Sequence, residues 1–169
     1  MRLENKRFSA SYDSPIGRIC ITADDSFITG LWFEDRKKNS IITNRCVPEE
    51  ENTVIHQTIC WLTAYFSGTK PDFLPPVHYT GTRFQHEVWD ILRTIPYGNT
   101  MTYGQIAQII AARHETARMS AQAVGGAVSR NPVSLLIPCH RVIGSGGNLT
   151  GYAGGLERKK ALLKLEQIL

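Results

Sequence analysis

A short segment in the C-terminal half of the chain holds the residue types best suited to chemistry. An apolar run over residues 133–137 stops at Pro138 and is followed by Cys139, His140 and Arg141. A thiol has a pKa of about 8.5 and attacks only as the thiolate, so a reactive cysteine needs a nearby cation, base or helix dipole. His140 and Arg141 could supply it. The pattern indicates a reactive thiol, with a small buried core residue as the plain alternative for Cys139.

The position of His140 directly after the cysteine limits how it could act. Neighbouring residues in a turn do not face each other, so we do not expect the direct hydrogen bond of a cysteine protease pair. A bridging water could carry the proton instead. The glycine-rich stretches at 144–148 and 151–155 could wrap a planar ligand. They lack the lysine and the preceding strand of a phosphate-binding loop.

Helices with recognisable start signals are expected to position this segment. Thr82 with Gln85, and Thr102 with Gln105, have the spacing of capping boxes in front of apolar stripes. The second of these helices is followed by a polar connection and then by a helical segment over residues 120–129. Two short helices joined by a turn resemble a helix-turn-helix.

Two helices of this half have unusual surfaces. The 120–129 segment is built from small residues, namely Ala121, Ala123, Gly125, Gly126 and Ala127. Glycine costs a helix about 1 kcal/mol relative to alanine, so something should need close approach there, either DNA or another helix. Residues 156–169 predict an amphipathic helix, in which Lys159, Lys160 and Lys164 form a solvated basic face.

The first third of the chain reads as a small sheet with a helix. Residues 8–12, 18–23 and 28–33 are short apolar or β-branched runs separated by turn residues, which indicates an antiparallel meander. Asn52 can cap a helix with apolar residues at helical spacing. The proline-rich stretch 73–76 is the best candidate linker. We therefore predict an α+β protein of two domains, residues 1–79 and 80–169.

The distribution of charge limits where the chain could contact nucleic acid. The 169 residues carry a formal net charge of +4, with nine basic and ten acidic residues in 1–79 and ten and five in 80–169. Contact with nucleic acid, if any, belongs to the second half, although chance unevenness would give the same numbers.

Other classes of protein lack their usual signals in this sequence. It contains no run of apolar residues long enough to span a bilayer and no apolar core of a signal peptide at its start, so a cytoplasmic protein without a membrane partner is expected. The cysteines at 20, 46, 60 and 139 show no paired spacing, which predicts reduced thiols and neither a disulfide framework nor a zinc site.

With these motifs in view, the chain resembles the O6-alkylguanine-DNA alkyltransferases, also called methylated-DNA–protein-cysteine methyltransferases. Residues 137–142, Ile-Pro-Cys-His-Arg-Val, are similar to the active-site signature of that family. The resemblance runs from about Phe84 to Glu166 and includes the motifs at 103–107, 123–127, 131–132 and 151–155. It implies a ribonuclease-H-like N-terminal domain and a winged helix-turn-helix C-terminal domain.

The resemblance also implies a reaction. Such a protein would move a methyl or other alkyl group from O6 of a guanine in double-stranded DNA irreversibly to Cys139, once per chain and without a cofactor. The base would be flipped out through the minor groove. Activity at O4 of thymine is left open, and a monomer is expected.

Each expected site residue has a role in this picture. Cys139 would be the nucleophile, His140 would take its proton through water, and Glu166 would orient His140. Tyr103 would bond guanine N3, the carbonyls of Cys139 and Val142 its amino group, and the Ala153 amide would face O6, while Tyr152 would line the pocket. The expected DNA-binding and hinge residues are Gln122, Ala123, Gly126, Ala127, Asn131 and Arg141, of which Asn131 would tie the recognition helix to the active-site turn.

The sequence departs from the family in two places. Relatives commonly carry an arginine, which fills the gap left by the flipped base, where this chain has Gln122. The stretch 111–118 is also longer than in some relatives.

Three other classes of protein fit these residues less well. A sensor of alkylated DNA lacks the cysteine, a plain winged-helix regulator leaves the Pro-Cys-His-Arg segment without a purpose, and a cysteine hydrolase would turn over repeatedly.

Overall fold

The structure is a computed structural model that describes residues 7–34, 45–46 and 51–169. The chain divides into two compact units, Met1–Tyr79 and Thr80–Leu169. Residues 1–6, which include part of the stretch expected to lack a signal peptide, lie outside the described residues. The side chain of Cys46 also lies outside them. No helix in the described ranges is long and apolar enough to cross a bilayer.

The first unit is a four-stranded sheet with one helix. Its strands are β1 (Phe8–Ser14), β2 (Gly17–Ala23), β3 (Ile28–Phe33) and β4 (Arg45–Cys46), in the order β3-β2-β1-β4. The predicted meander is confirmed, because β1 pairs antiparallel with β2 and β2 with β3. The parallel strand β4 was not predicted.

Helix α1 (Thr53–Phe66) contacts β1 and β2. It begins where the sequence predicts, since the Asn52 side chain accepts a hydrogen bond from the Ile55 amide at 3.0 Å. The core of this unit is formed by fully buried side chains of the sheet and the helix, including Ile19, Ile21, Leu31, Ile55 and Leu62.

The second unit is helical. It contains α2 (Arg83–Arg93), α3 (Tyr103–Arg113), α4 (Ala121–Ser129) and α5 (Leu156–Leu165), with a two-stranded ladder of β5 (Met101–Thr102) and β6 (Val142–Ile143). Both predicted capping boxes are present, at Thr82 and Thr102. Helices α3 and α4 contact each other and α2, which gives the predicted helix-turn-helix a supporting helix.

A buried tryptophan fixes α4 against α2. Trp89 is 1% exposed, and its indole N–H donates to the Ala127 carbonyl at 3.0 Å. The Ala127 side chain is also buried, at 3% exposure. Ala127 thus packs inside the unit, as the helix-packing alternative for a small residue on this helix predicts, and its expected role at DNA stays a prediction.

Candidate active site

Cys139, the candidate nucleophile, lies on a tight hydrogen-bonded turn. Residues Cys139–Arg141 form a 3-10 turn in which the Arg141 amide donates to the Pro138 carbonyl and the Val142 amide to the Cys139 carbonyl. Cys139 is 3% exposed. The turn follows a buried apolar segment, so its backbone position is set by core packing rather than by solvent-exposed loop contacts.

Asn131 links the end of α4 to this turn. Its side-chain N–H donates to the Ile137 carbonyl at 2.8 Å, and its side-chain oxygen accepts from the Val133 amide at 3.0 Å. Asn131 is itself 2% exposed. The Asn131 amide thus joins the segment after α4 to the segment before Cys139.

A buried carboxylate joins the turn to the end of α5. Glu166 directly follows that helix and is 2% exposed. Its Oε1 accepts from His140 Nε2 at 2.7 Å, and its Oε2 accepts from the Gly98 amide at 3.1 Å. The Arg141 guanidinium donates to both oxygens, at 2.9 and 3.0 Å. One charged group therefore connects the turn after α2, the cysteine turn and α5.

The charges of this network are complementary. Burial by itself would raise the pKa of Glu166, but the hydrogen bonds from His140 and Arg141 outweigh it and lower that pKa to about 2. Burial lowers the pKa of His140, against the opposing effect of Glu166. At neutral pH the carboxylate is thus ionised and the imidazole neutral. Because Nε2 donates to Glu166, Nδ1 is the ring nitrogen able to accept a proton.

Arg141 belongs to this hydrogen-bond network. Besides its two bonds to Glu166, Nη1 donates to the Ile95 carbonyl at 2.7 Å. All three guanidinium nitrogens therefore have acceptors within the unit. These donors hold the turn after α2 and the Glu166 carboxylate, and the expected DNA-binding or hinge role of Arg141 stays a prediction.

Tyr103 lies near Cys139. Strand β5 pairs in parallel with β6, Met101 opposite Val142, and so brings the first residue of α3 beside the cysteine turn. The Tyr103 hydroxyl donates to the carbonyls of Thr150 and Gly151, at 3.2 and 3.0 Å. Burial raises its pKa, and so does the nearby Cys139.

The loop that carries Tyr152 and Ala153 approaches Tyr103 closely. Gly151 has a φ of +56°, and a Cβ there would lie 3.1 Å from the Tyr103 hydroxyl oxygen. The left-handed backbone conformation therefore favours glycine, and a larger residue would also crowd the Tyr103 hydroxyl. Tyr152 and Ala153 are half-buried beyond it, and the Tyr152 carbonyl accepts from the Gly155 amide at 3.0 Å.

Lys159 is the residue of this site that the sequence reasoning missed. Instead of lying on a solvated face, it is 0% exposed, and its ammonium donates to the carbonyls of Val142 and Thr150, the latter at 2.7 Å. The ammonium also lies 6.0 Å from the centre of the Tyr103 ring. Burial lowers its pKa to about 8, and the nearby Cys139 partly opposes the shift. The Lys159 ammonium therefore joins β6 at Val142 to the loop at Thr150 and also faces the Tyr103 ring.

The signal for Lys159 was present in the helical spacing. It stands three, four and seven residues before Leu162, Leu163 and Glu166, all of which are buried. Positions with these separations share one face of a helix. Because lysine is usually exposed, the residue type alone predicted a solvated position for Lys159, although its spacing places it on the buried face of α5.

The other expected DNA-binding residues lie on α4. Gln122 and Ala123 are exposed in its first turn, and Gly126 is half-buried one turn later. A Cβ on neighbouring Gly125 would meet the Tyr103 ring at 3.8 Å, so the middle of α4 lies against Tyr103. Within the described residues, no group of three or more His, Cys, Asp or Glu side chains could hold a metal ion.

The fold and the site together define an α+β protein in which a helix-turn-helix unit holds a buried cysteine next to a histidine–glutamate pair. Two family models match the chain. They are "6-O-methylguanine DNA methyltransferase, ribonuclease-like domain" over residues 8–79 and "6-O-methylguanine DNA methyltransferase, DNA binding domain" over residues 83–168. The chain belongs to this methyltransferase family.

Curated relatives and solved structures agree with this assignment. A methylated-DNA–protein-cysteine methyltransferase of Mycobacterium leprae is 42% identical over 157 residues, covering 93% of this chain and 90% of the relative. One from Methanosarcina acetivorans is 41% identical over 159 residues, covering 94% and 97%. The crystal structure of the Mycobacterium tuberculosis O6-methylguanine methyltransferase matches with a TM-score of 0.82 at 38% identity, covering 95% and 93% of the two chains. A structure of the M. tuberculosis protein in complex with DNA matches with the same TM-score.

The depressed pKa of Glu166 predicts how stability depends on pH. The unfolded chain, with an ordinary pKa of 4.5 at this residue, takes up the proton before the folded chain, whose pKa is about 2. The stabilisation is therefore complete above about pH 4.5 and is lost as the pH falls toward 2. Glu166→Gln should reduce the free energy of unfolding at neutral pH by about 3 kcal/mol, because the buried Arg141 loses its counter-charge, and should flatten this pH dependence.

Urea denaturation at pH 7, 5 and 3 measures both effects. Glu157→Gln removes an exposed carboxylate from the first turn of the same helix and serves as the control. If the two variants gave the same pH dependence of unfolding, Glu166 would not be the group responsible.

The buried ammonium of Lys159 predicts a local effect on the loop before α5. Lys159→Met keeps most of the side-chain volume but removes the donor shared by Val142 and Thr150. We expect faster amide hydrogen exchange over residues 144–155, measured by mass spectrometry, while α2 keeps its protection. Lys160→Met, at the exposed neighbouring position, should leave the loop unchanged. Unchanged exchange in the Lys159 variant would contradict a tying role.

Proposed function

We propose that this protein repairs DNA by transferring a methyl or other alkyl group from O6 of guanine irreversibly to the sulfur of its own Cys139. The observation that carries this proposal is the 2.7 Å bond between His140 Nε2 and Glu166 Oε1 directly beside the buried cysteine. This bond supports the role of His140 as a base, because it orients a neutral imidazole next to Cys139 in the chain, in a unit whose family model is a DNA-binding domain.

The proton path follows from the tautomer of His140. A water between the two side chains would take the thiol proton of Cys139 and pass one to His140 Nδ1. The imidazolium that forms lies against the ionised Glu166, which is already in place, so charge separation is stabilised without rearrangement. The result is a thiolate in a site from which most solvent is excluded.

The transfer itself is a direct displacement at the alkyl carbon. The sulfur–carbon bond forms as the carbon–O6 bond breaks, and the electron pair of the broken bond goes to guanine. Tyr103 would turn its hydroxyl from the carbonyls of Thr150 and Gly151 to guanine N3 and so stabilise the leaving base. A thioether is a poor leaving group, and no cofactor is part of the scheme. The chain would therefore act once, and every group involved comes from a single monomer.

Backbone groups near Cys139 could recognise a flipped guanine. The carbonyls of Cys139 and Val142 each accept an internal hydrogen bond and have a second lone pair for the guanine amino group. The Ala153 amide would face O6, and Tyr152 would line the pocket. Residues 80–169 would form the DNA-binding and acceptor domain, and residues 1–79 the ribonuclease-H-like domain. Helix α4 would enter the minor groove with Gln122, Ala123 and Gly126, and the protein would work in the cytoplasm on double-stranded DNA.

Incubation with a duplex that contains O6-methylguanine tests the proposal. Peptide mass mapping should show one methyl increment on the peptide that contains Cys139, with at most one methyl per chain, and Cys139→Ser should abolish transfer. Cys60→Ser, at an exposed cysteine of α1, is the matched control and should transfer normally. Repeated turnover, or a methyl group on any other residue, would refute the mechanism. A duplex with O4-methylthymine tests the second possible substrate.

The side chain at position 122 should affect how tightly the protein holds DNA whose guanine is flipped out of the duplex. It is exposed in the first turn of α4, is uncharged, and is shorter than the arginine that relatives commonly carry there. Gln122→Arg should bind duplex DNA more tightly, because it adds a cation near the phosphates, and should transfer methyl groups faster at low DNA concentration. Unchanged affinity and rate would show that this position does not limit DNA engagement.

A further inference from the structure

Helix α4, which meets DNA in the proposed function, carries no charged side chain over Ala121–Ser129. Duplex DNA presents a dense line of phosphates, and most of its affinity for proteins comes from cations that neutralise them. At the end of the helix, Arg130 donates to the Gly126 carbonyl at 3.1 Å. The charge that holds the DNA strand near the start of α4 must therefore come from residues outside the helix.

A surface groove lies next to the start of α4. It has a volume of about 330 Å³ and runs between α3 and the turn that precedes α4. Its lining includes Gly104, Gln108 and Ala111 from α3, Arg118 from the turn, and Ala121 from α4. Most of the lining residues are glycine or alanine, and the guanidinium of Arg118 is the charged group among them.

Arg118 is available to a ligand. It is exposed and has no hydrogen bond or ion pair to any residue in the described ranges of the chain. Arg141, in contrast, uses its whole guanidinium inside the unit. Arginine forms paired hydrogen bonds with phosphate oxygens, so an unengaged one over a groove is complementary to a phosphodiester.

The groove adjoins Tyr103 along α3. Its lining residue Gly104 directly follows Tyr103, which lies near Cys139. In the proposed function Tyr103 bonds the flipped guanine, so the neighbouring part of the DNA strand would pass close to Gly104 and the groove. The first amide groups of α4 lie at the same place and add a weak positive field.

We propose that this groove holds the phosphodiester backbone of the DNA strand next to the flipped nucleotide, with Arg118 as its phosphate ligand. The proposal rests on the proposed function and names the residue that supplies the charge absent at Gln122. The longer connection between α3 and α4 places that charge two residues before the Ser120 cap instead of inside the helix.

The test uses the full chain and an undamaged duplex, with affinity measured at several salt concentrations. Arg118→Gln should weaken binding about threefold to tenfold at 0.1 M salt and reduce the slope of log affinity against log salt by about 0.9, the value for one phosphate contact. Arg93→Gln removes the same charge from an exposed position at the end of α2 and should leave the slope unchanged.

A second variant tests the groove rather than the arginine. Gln108→Glu keeps the shape of an exposed lining residue but adds a negative charge, which should also weaken binding. If only Arg118→Gln weakens binding, the phosphate lies outside the groove. If Arg118→Gln binds with wild-type affinity and slope, or if Arg93→Gln changes the slope as much, the assignment of Arg118 is wrong.

Methyl transfer separates this inference from the proposed function. With a duplex that contains O6-methylguanine, Arg118→Gln should transfer more slowly at low DNA concentration but at the wild-type rate when DNA is saturating. Failure of the wild-type chain to transfer at all would overturn the proposed function. Normal transfer by the wild type with no effect of Arg118→Gln at any DNA concentration would overturn only the inference.

Discussion

The second unit depends on one buried carboxylate. Glu166 receives hydrogen bonds from His140, from both sides of the Arg141 guanidinium and from the Gly98 amide. A buried charge is costly unless it is paired and fully hydrogen-bonded, and here the pairing joins segments far apart in the chain. The same contacts that offset the burial also fix the imidazole tautomer. The structural and the chemical requirements of the site are therefore met by the same atoms.

Lys159 plays a comparable part near Cys139. Its ammonium has no carboxylate partner among the described residues and is held by carbonyl oxygens of Val142 and Thr150. The result is a site with an anion beside the histidine and a cation beside Tyr103. A negative sulfur at Cys139 would gain from the nearby ammonium, since Cys139 and Lys159 interact electrostatically.

Local signals in the sequence were sufficient for most of the secondary structure. The capping boxes at Thr82 and Thr102 and the Asn52 cap depend on residues three apart, so they could be read without any tertiary information. The antiparallel meander of β1 to β3 is likewise a matter of short runs and turns. Strand β4 could not be predicted, because a two-residue parallel strand is defined by its neighbour and has no pattern of its own.

The sequence by itself determined the helix starts, the reactive segment around Cys139 and the family to which the motifs belong. Only the tertiary structure decided what Ala127, Arg141 and Lys159 do. Each is of a type that could face DNA or solvent, and each is instead used inside the unit, against Trp89, Glu166 and the carbonyls near Cys139. The reason is that burial and charge pairing depend on which distant segments meet, and residue type and spacing along the chain do not record that.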